Sequence, residues 1–186
     1  ELLDGGPSVV LIDRDSRERF GGLARWAFGG MAFVGTPEQR RMKIADSPEL
    51  ALADWLRFGE LAPEDSNDAW PRAWAEFYVE ESRALVYDWL KQLGLQFIPA
   101  VNWVERGSSI KGNSVPRYHM LWGAGRELVE TLIGRLVEHP YHDRLTILHR
   151  HRVHGLEFSG GVVRGCHGTD EASGADFSPS SVTSSS

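Results

Sequence analysis

The 186-residue sequence contains a single cysteine, Cys166. No disulfide can form within the chain, and a reducing, cytoplasmic setting is its simplest home. Positive charge is also short, with 20 Lys and Arg against 26 Asp and Glu and a formal charge of -6. That balance argues against a nucleic-acid partner, because a phosphate backbone calls for a basic surface. No apolar run approaches the roughly 20 residues that span a bilayer, so no membrane span is expected, and the opening residues show no signal-peptide pattern. Internal repeats and a GxGxxG turn are missing too. What is present is ordinary for a globular chain: 41% hydrophobic and 25% charged residues. This suits one domain or part of a larger one. Seven tryptophans is a high count, and such side chains fill cores or line clefts for flat ligands.

Val9-Val10-Leu11-Ile12 is an unbroken apolar run that stops on Asp13. Continuous runs of this kind suit a parallel strand covered on both faces. Ahead of it, "ELLDGG" has the pattern of a last helical turn closed by glycine,. A helix leading into a buried strand is the second half of a β-α-β unit, so a first strand and its glycine-rich turn are expected upstream of Glu1. Ser47 and Pro48 start a helix that reaches Gly59, and Asp68 with Pro71 opens a longer one capped by Gly94,. Trp74, Phe77, Tyr78, Leu85, Val86, Trp89, Leu90 and Leu93 are expected on its apolar face. Residues 95–104 read as extended, and Leu128 to Val137 as a third helix stopped by Pro140. The segment 145–165 reads as two or three strands with a turn at Gly160-Gly161,. The fold class is α/β: one parallel strand, a helical middle and a small β-meander. Residues 1–175 form the domain, and 176–186 are expected to be a disordered serine-rich tail.

An acid at the carboxyl end of a parallel strand sits where open α/β sheets bind ligands. Taken alone, Asp13 is equally a solvated turn carboxylate. After it comes "RERFGGLARWAFGGMAF", in which Gly21-Gly22 and Gly29-Gly30 bracket six residues. Glycine pairs let backbone approach a ligand closely and turn amide groups toward it.

Strand, acid, GG, six residues, GG resembles the flavin-binding segment of the fumarate reductase, succinate dehydrogenase and 3-ketosteroid dehydrogenase flavoproteins. "TPEQRR", "WPRAWAEFYV" and "GNSVPRYHMLWGAG" are similar to a bacterial branch labelled FAD-binding dehydrogenase. The resemblance runs over about residues 1–168. It implies an incomplete Rossmann-like FAD-binding domain, FAD as cofactor, and hydride transfer between a small-molecule organic substrate and flavin N5. It also implies that a substrate-capping domain lies downstream. By the same resemblance Asp13 holds the adenosine ribose, and Gly21, Gly22, Gly29 and Gly30 follow the pyrophosphate toward the ring. Val153 lies on the strand whose backbone faces adenine. Leu23 and Ala24 stand where relatives often carry Ser or Thr, which leaves fewer side-chain bonds to the cofactor. Arg117, Tyr118 and His119 are the catalytic candidates: a cation to steady negative charge on reduced flavin, and His or Tyr to move a proton. An ordinary surface pair, Arg117 with His119 on a loop, is the plainer reading of the residues alone. The other function class is a fragment or binding module that holds no cofactor and catalyses nothing.

His139, His142, His149, His151 and His154 invite a metal reading, since His149 and His151 would share a face of a strand. No thiolate accompanies them, and Arg150 and Arg152 interleave. No metal site is expected. Trp70, Trp74 and Trp89, at helical spacing, are expected to pack as core or cap. Cys166 in "RGCHG" carries no signature of a nucleophile or of covalent flavin attachment.

Overall fold

In chain order the computed structural model, which describes residues 1–63 and 65–178, runs β1 (Val9–Ile12), β2 (Gly30–Ala32), α1 (Pro37–Arg41), α2 (Pro48–Phe58) and α3 (Ala69–Ser82). A π-helical stretch, Arg83–Asp88, joins α3 to α4 (Trp89–Gln92). Then come β3 (Tyr118–Met120), α5 (Ala124–Val137), β4 (Leu145–Leu148), β5 (His151–Ser159), β6 (Val162–Asp170) and β7 (Asp176–Phe177). The chain divides into two units, residues 1–22 with 133–186, and residues 23–132. The α/β reading holds.

In the first unit β1 pairs in parallel with β4, Val9 opposite Leu145 through Ile12 opposite Leu148. The apolar run therefore forms the expected parallel strand. Its coverage is thinner than expected, because Val10 keeps 39% of its surface exposed. β5 and β6 form the meander hairpin, closed by Gly160-Gly161 at positive φ, as two-residue hairpins favour. The opening residues make a turn, with the Gly5 amide on the Glu1 carbonyl at 2.9 Å. β7 pairs with β6, and Phe177 is buried with its ring 4.8 Å from that of His151. An aromatic anchor thus ties Asp176–Phe177, the first residues of the expected tail, to the sheet. Residues 179–186 of the expected tail lie outside the described residues.

The second unit pairs β2 antiparallel with β3. Around this pair gather Phe33, Tyr87, Leu90, Leu95, Phe97 and Leu121, all buried. Phe33 meets the Tyr87 and Phe97 rings edge-on at 5.5 and 5.6 Å. α2 starts as expected, with the Ser47 hydroxyl accepting from the Leu50 amide and Pro48 in the first turn. α1 was not foreseen, although Thr36 and Gln39 form a capping box at its start,.

The long helix departs from expectation in phase. Its buried residues are Ala75, Val79 and Ser82 in α3, then Tyr87 in the π stretch and Leu90 in α4. A π turn inserts one residue, so the stripe steps from 82 to 87 where an even helical period would place 86. The expected face is split: Leu90 is buried and Val86 and Leu93 pack against the core, whereas Trp70 is 77% and Trp74 65% exposed, and Phe77, Leu85 and Trp89 are exposed as well. Core packing of these tryptophans is therefore not found.

A buried polar network lies against this core. The Arg117 guanidinium donates from Nε and Nη2 to Asp46, and from Nη1 to Asp54 at 2.7 Å and Asn113 at 3.0 Å. Asp54 also accepts from the Ser114 amide and hydroxyl and from Arg57. Burial alone would push the Asp54 carboxyl up, but the bonds from Ser114, Arg57 and Arg117 outweigh it and bring the pKa down to about 2.

Two outcomes follow. Phe33→Ala should cost about 3–5 kcal/mol in urea denaturation, as for a large buried aromatic, whereas Trp74→Ala should stay within about 0.5 kcal/mol. Asp54 titrates lower in the folded than in the unfolded chain, so its contribution is complete above the ordinary carboxylate range. It is lost as pH falls from about 4 toward 2, and amounts to about 2 kcal/mol. Urea midpoints measured against pH should drop across that window, and Asp54→Asn should flatten the drop.

Candidate functional site

β1 delivers Asp13 to the carboxyl end of the parallel pair. Its amide donates to the Leu148 carbonyl at 2.9 Å, and its own carbonyl accepts from the His151 amide at 3.0 Å. The carboxylate is oriented by the Asp15 amide, which donates to Oδ1 at 2.9 Å. Oδ2 has no hydrogen-bond partner among the described residues. A fixed, half-buried carboxylate with one open oxygen suits a ligand that offers hydroxyl donors. Beside it, at the end of β4, the buried Nδ1 of His149 also lacks a partner. Its ring stands edge-on to Phe20 at 5.1 Å. The sequence presented His149 as a metal candidate. The structure presents it instead as an orphaned polar group next to the strand-end acid, where bound ligand or water would satisfy it.

From Asp13 the chain passes through a 3-10 turn, Arg17–Arg19, to Gly21 and Gly22. Gly22 has φ +52, and a Cβ built there would meet nothing within 4 Å. Its backbone is bare on one side, as close approach of a ligand to the main chain requires. Val153 lies in β5 opposite Gly168, two residues beyond the His151 amide that bonds Asp13.

In the second unit Gly29 and Gly30 enter β2. Gly29 is fixed by its surroundings: φ is +68, and a Cβ would lie 2.9 Å from the carbonyl carbon of Ala124 at the start of α5. Its carbonyl accepts from the Leu121 amide at 3.0 Å. A Cβ on Gly30 would overlap the Tyr118 ring. The hydroxyl end of the tyrosine thus lies against this glycine, with its ring 5.7 Å from that of Phe28. Its hydroxyl has no hydrogen-bond partner among the described residues, and burial raises its pKa. It is a protonated donor waiting for an acceptor.

Arg117 and His119 differ from Tyr118. The sequence allowed a surface loop; the structure places all three on or beside β3, with Arg117 and His119 buried. His119 Nδ1 donates to the Arg117 carbonyl at 2.7 Å, and Nε2 accepts from the Thr36 hydroxyl at 2.8 Å. Burial holds its pKa below the usual value, so this neutral tautomer is the stable one. Every nitrogen of His119 and three of the Arg117 guanidinium are bonded inside the protein. Neither side chain offers a free polar atom to a substrate. The alternation of a strand explains the split, because 117 and 119 share one face and 118 takes the other.

The histidine-rich stretch breaks up. His149 lies between β4 and β5, and Arg150 adopts φ +61, which interrupts the alternation that would have set His149 beside His151. His151 Nδ1 bonds the His149 carbonyl, and His154 bonds Thr169. Among the described residues no group of three or more His, Cys, Asp or Glu side chains could hold a metal ion. No helix of the described residues is long and apolar enough to cross a membrane.

Known proteins share both the sequence pattern and the fold. Residues 1–182 match the family described as FAD binding domain. A KsdD-like steroid dehydrogenase of Mycolicibacterium smegmatis is 44% identical over 172 residues, which is 91% of this chain and 30% of that protein. The chain thus spans about a third of the length of such relatives. Among solved structures, the Sdh1 complex of Mycobacterium smegmatis covers 90% of the chain, and the chain 27% of it, at a TM-score of 0.64 and 21% identity. The quinol fumarate reductase subunit of E. coli covers 91%, and the chain 26% of it, at 0.62 and 19%. At such identities these two speak for the fold alone. The oriented acid at the end of β1, the two glycine pairs and these matches converge: the chain belongs to the FAD-binding domain family of flavoproteins.

Proposed function

We propose that this chain forms part of the FAD site of an oxidoreductase acting on a small organic substrate in a reducing compartment such as the cytoplasm. The observation that carries the reading is Asp13, a carboxylate held by the Asp15 amide with Oδ2 open at the end of a parallel strand. When bound, FAD supplies a hydride acceptor or donor at N5. Asp13 accepts hydrogen bonds from the adenosine ribose, and the bare backbone at Gly22 admits the pyrophosphate. Val153, an exposed residue of β5, faces adenine. By the family's sequence pattern Gly29 and Gly30 are assigned to the cofactor as well, and the turn at φ +68 holds their loop in one shape.

Of the three catalytic candidates, Tyr118 is the one able to touch cofactor or substrate, through its unpartnered hydroxyl. Arg117 and His119 are positioning residues that fix β3 from behind. The dehydrogenase name of the relative at 44% identity supports removal or addition of hydrogen at carbon as the reaction class.

Titration with FAD, read by quenching of flavin fluorescence, tests the assignment. Asp13→Ala should weaken binding by about 1.5 to 3 kcal/mol, the range for a hydrogen bond to a charged group, with unchanged far-UV circular dichroism. Tyr118→Phe should leave the fold intact and weaken binding by about 0.5–1.5 kcal/mol, as for a neutral hydrogen bond. Equal FAD affinity in wild type and Asp13→Ala would refute the ribose contact.

A further inference from the structure

Within the second unit, α2, α3 and β2 enclose a cavity of about 260 Å³ that no step of the proposed function uses. Ala32 and Ala51 leave the room, and Trp55, Phe58 and Tyr78 supply flat walls. Trp55 stands edge-on to Tyr78 at 5.2 Å. Both Trp55 and Phe58 are more than one-third exposed, although each sits on a helix whose opposite side is packed.

The polar groups at the base are already satisfied. Asp54 and Arg117 bond one another and their neighbours, Asn113 bonds Arg117 and the Val104 carbonyl, and the Tyr78 hydroxyl donates to the Ala32 carbonyl. Charge is balanced as well: the guanidinium groups of Arg57 and Arg117 face the carboxylates of Asp46 and Asp54. Glu105, which also lines the cavity, is exposed to water. An anionic ligand would find no spare donor, and a cation no spare buried carboxylate. The lining therefore matches an occupant with neither charge nor hydrogen-bonding demands. Size narrows it further. Apolar cavities of about 150 Å³ stay dry and take up benzene, so this one, at about 260 Å³, suits about two fused rings.

We infer that this cavity is a binding site for an uncharged, planar, fused-ring compound, seated against the wall that the Trp55 and Tyr78 rings form together. It lacks the donors a phosphate needs, so it is separate from the cofactor assignment, and it stands or falls without flavin binding.

Naphthalene is a direct probe, with amide chemical shifts of the 186-residue chain as the readout. Saturable shifts should concentrate on residues 51–58 and 78–79. Ala51→Leu, which fills the cavity, should abolish them while the far-UV circular dichroism spectrum is retained. Phe58→Trp, which narrows the cavity from an exposed position, should weaken binding about tenfold and serves if Ala51→Leu fails to fold. 2-Naphthoate, of the same shape but charged, should bind at least about tenfold more weakly than naphthalene, because its carboxylate finds no partner. Absence of saturable shifts would overturn the inference. So would shifts centred elsewhere, such as on exposed Trp70 and Trp74, naphthalene binding unaffected by both variants, or naphthoate binding as tightly.

Discussion

The Arg117 guanidinium is the constraint on which the second unit depends. It is buried and charged, so it is tolerable only while fully bonded. Its bonds close a ring through the structure. Arg117 donates to Asp46, which also accepts from the Gln39 amide group. Gln39 caps α1 together with Thr36. Thr36 donates to His119, and His119 donates back to the Arg117 carbonyl. A second branch reaches Asp54 in α2 and the Ser114 loop. Five separate stretches of chain are tied to one cation. Losing one partner of such a pair typically costs about 3–5 kcal/mol.

That ring has a functional consequence through the geometry of β3. Fixing Arg117 and His119 on one face of the strand sets the other face, and with it the angle at which Tyr118 lies over Gly30. The same strand donates Leu121 to the Gly29 carbonyl, so the glycine loop is anchored to the element that carries the tyrosine. Under the function proposed above, such a surface is held in place before a ligand arrives, which lowers the ordering cost of binding. The first unit uses a simpler device. There the parallel ladder fixes where Asp13 ends up, and one amide in an Asx turn fixes which way its carboxylate faces.

Much of the fold was legible because its signals are local. The run Val9–Ile12, the Ser47-Pro48 start of α2 and the Gly160-Gly161 hairpin each encode their structure within a few residues. The position of Asp13 at the end of β1 was legible for the same reason. α1 had a signal too, the Thr36-to-Gln39 capping box, and it went unread because the helix is only five residues long. The π stretch was hidden, since a one-residue phase shift leaves an aromatic-rich helix looking periodic on the wrong face. The roles of Arg117 and His119 were hidden more deeply. Asp46 and Asp54 lie 71 and 63 residues from Arg117, and no spacing rule links acids that far away to a cation. His149 was misread because Arg150, at φ +61, turns the backbone where a regular strand was assumed.

β3 has one face held in the Arg117 network and another that carries Tyr118. Native-state hydrogen exchange at the Phe33 amide, which donates to the Arg117 carbonyl at 3.0 Å, separates them. Arg117→Gln should strip protection from Phe33 and from the amides of β2 and β3, whereas Tyr118→Phe should leave them as in wild type. Protection that survives Arg117→Gln, or falls as far in Tyr118→Phe, would contradict the division.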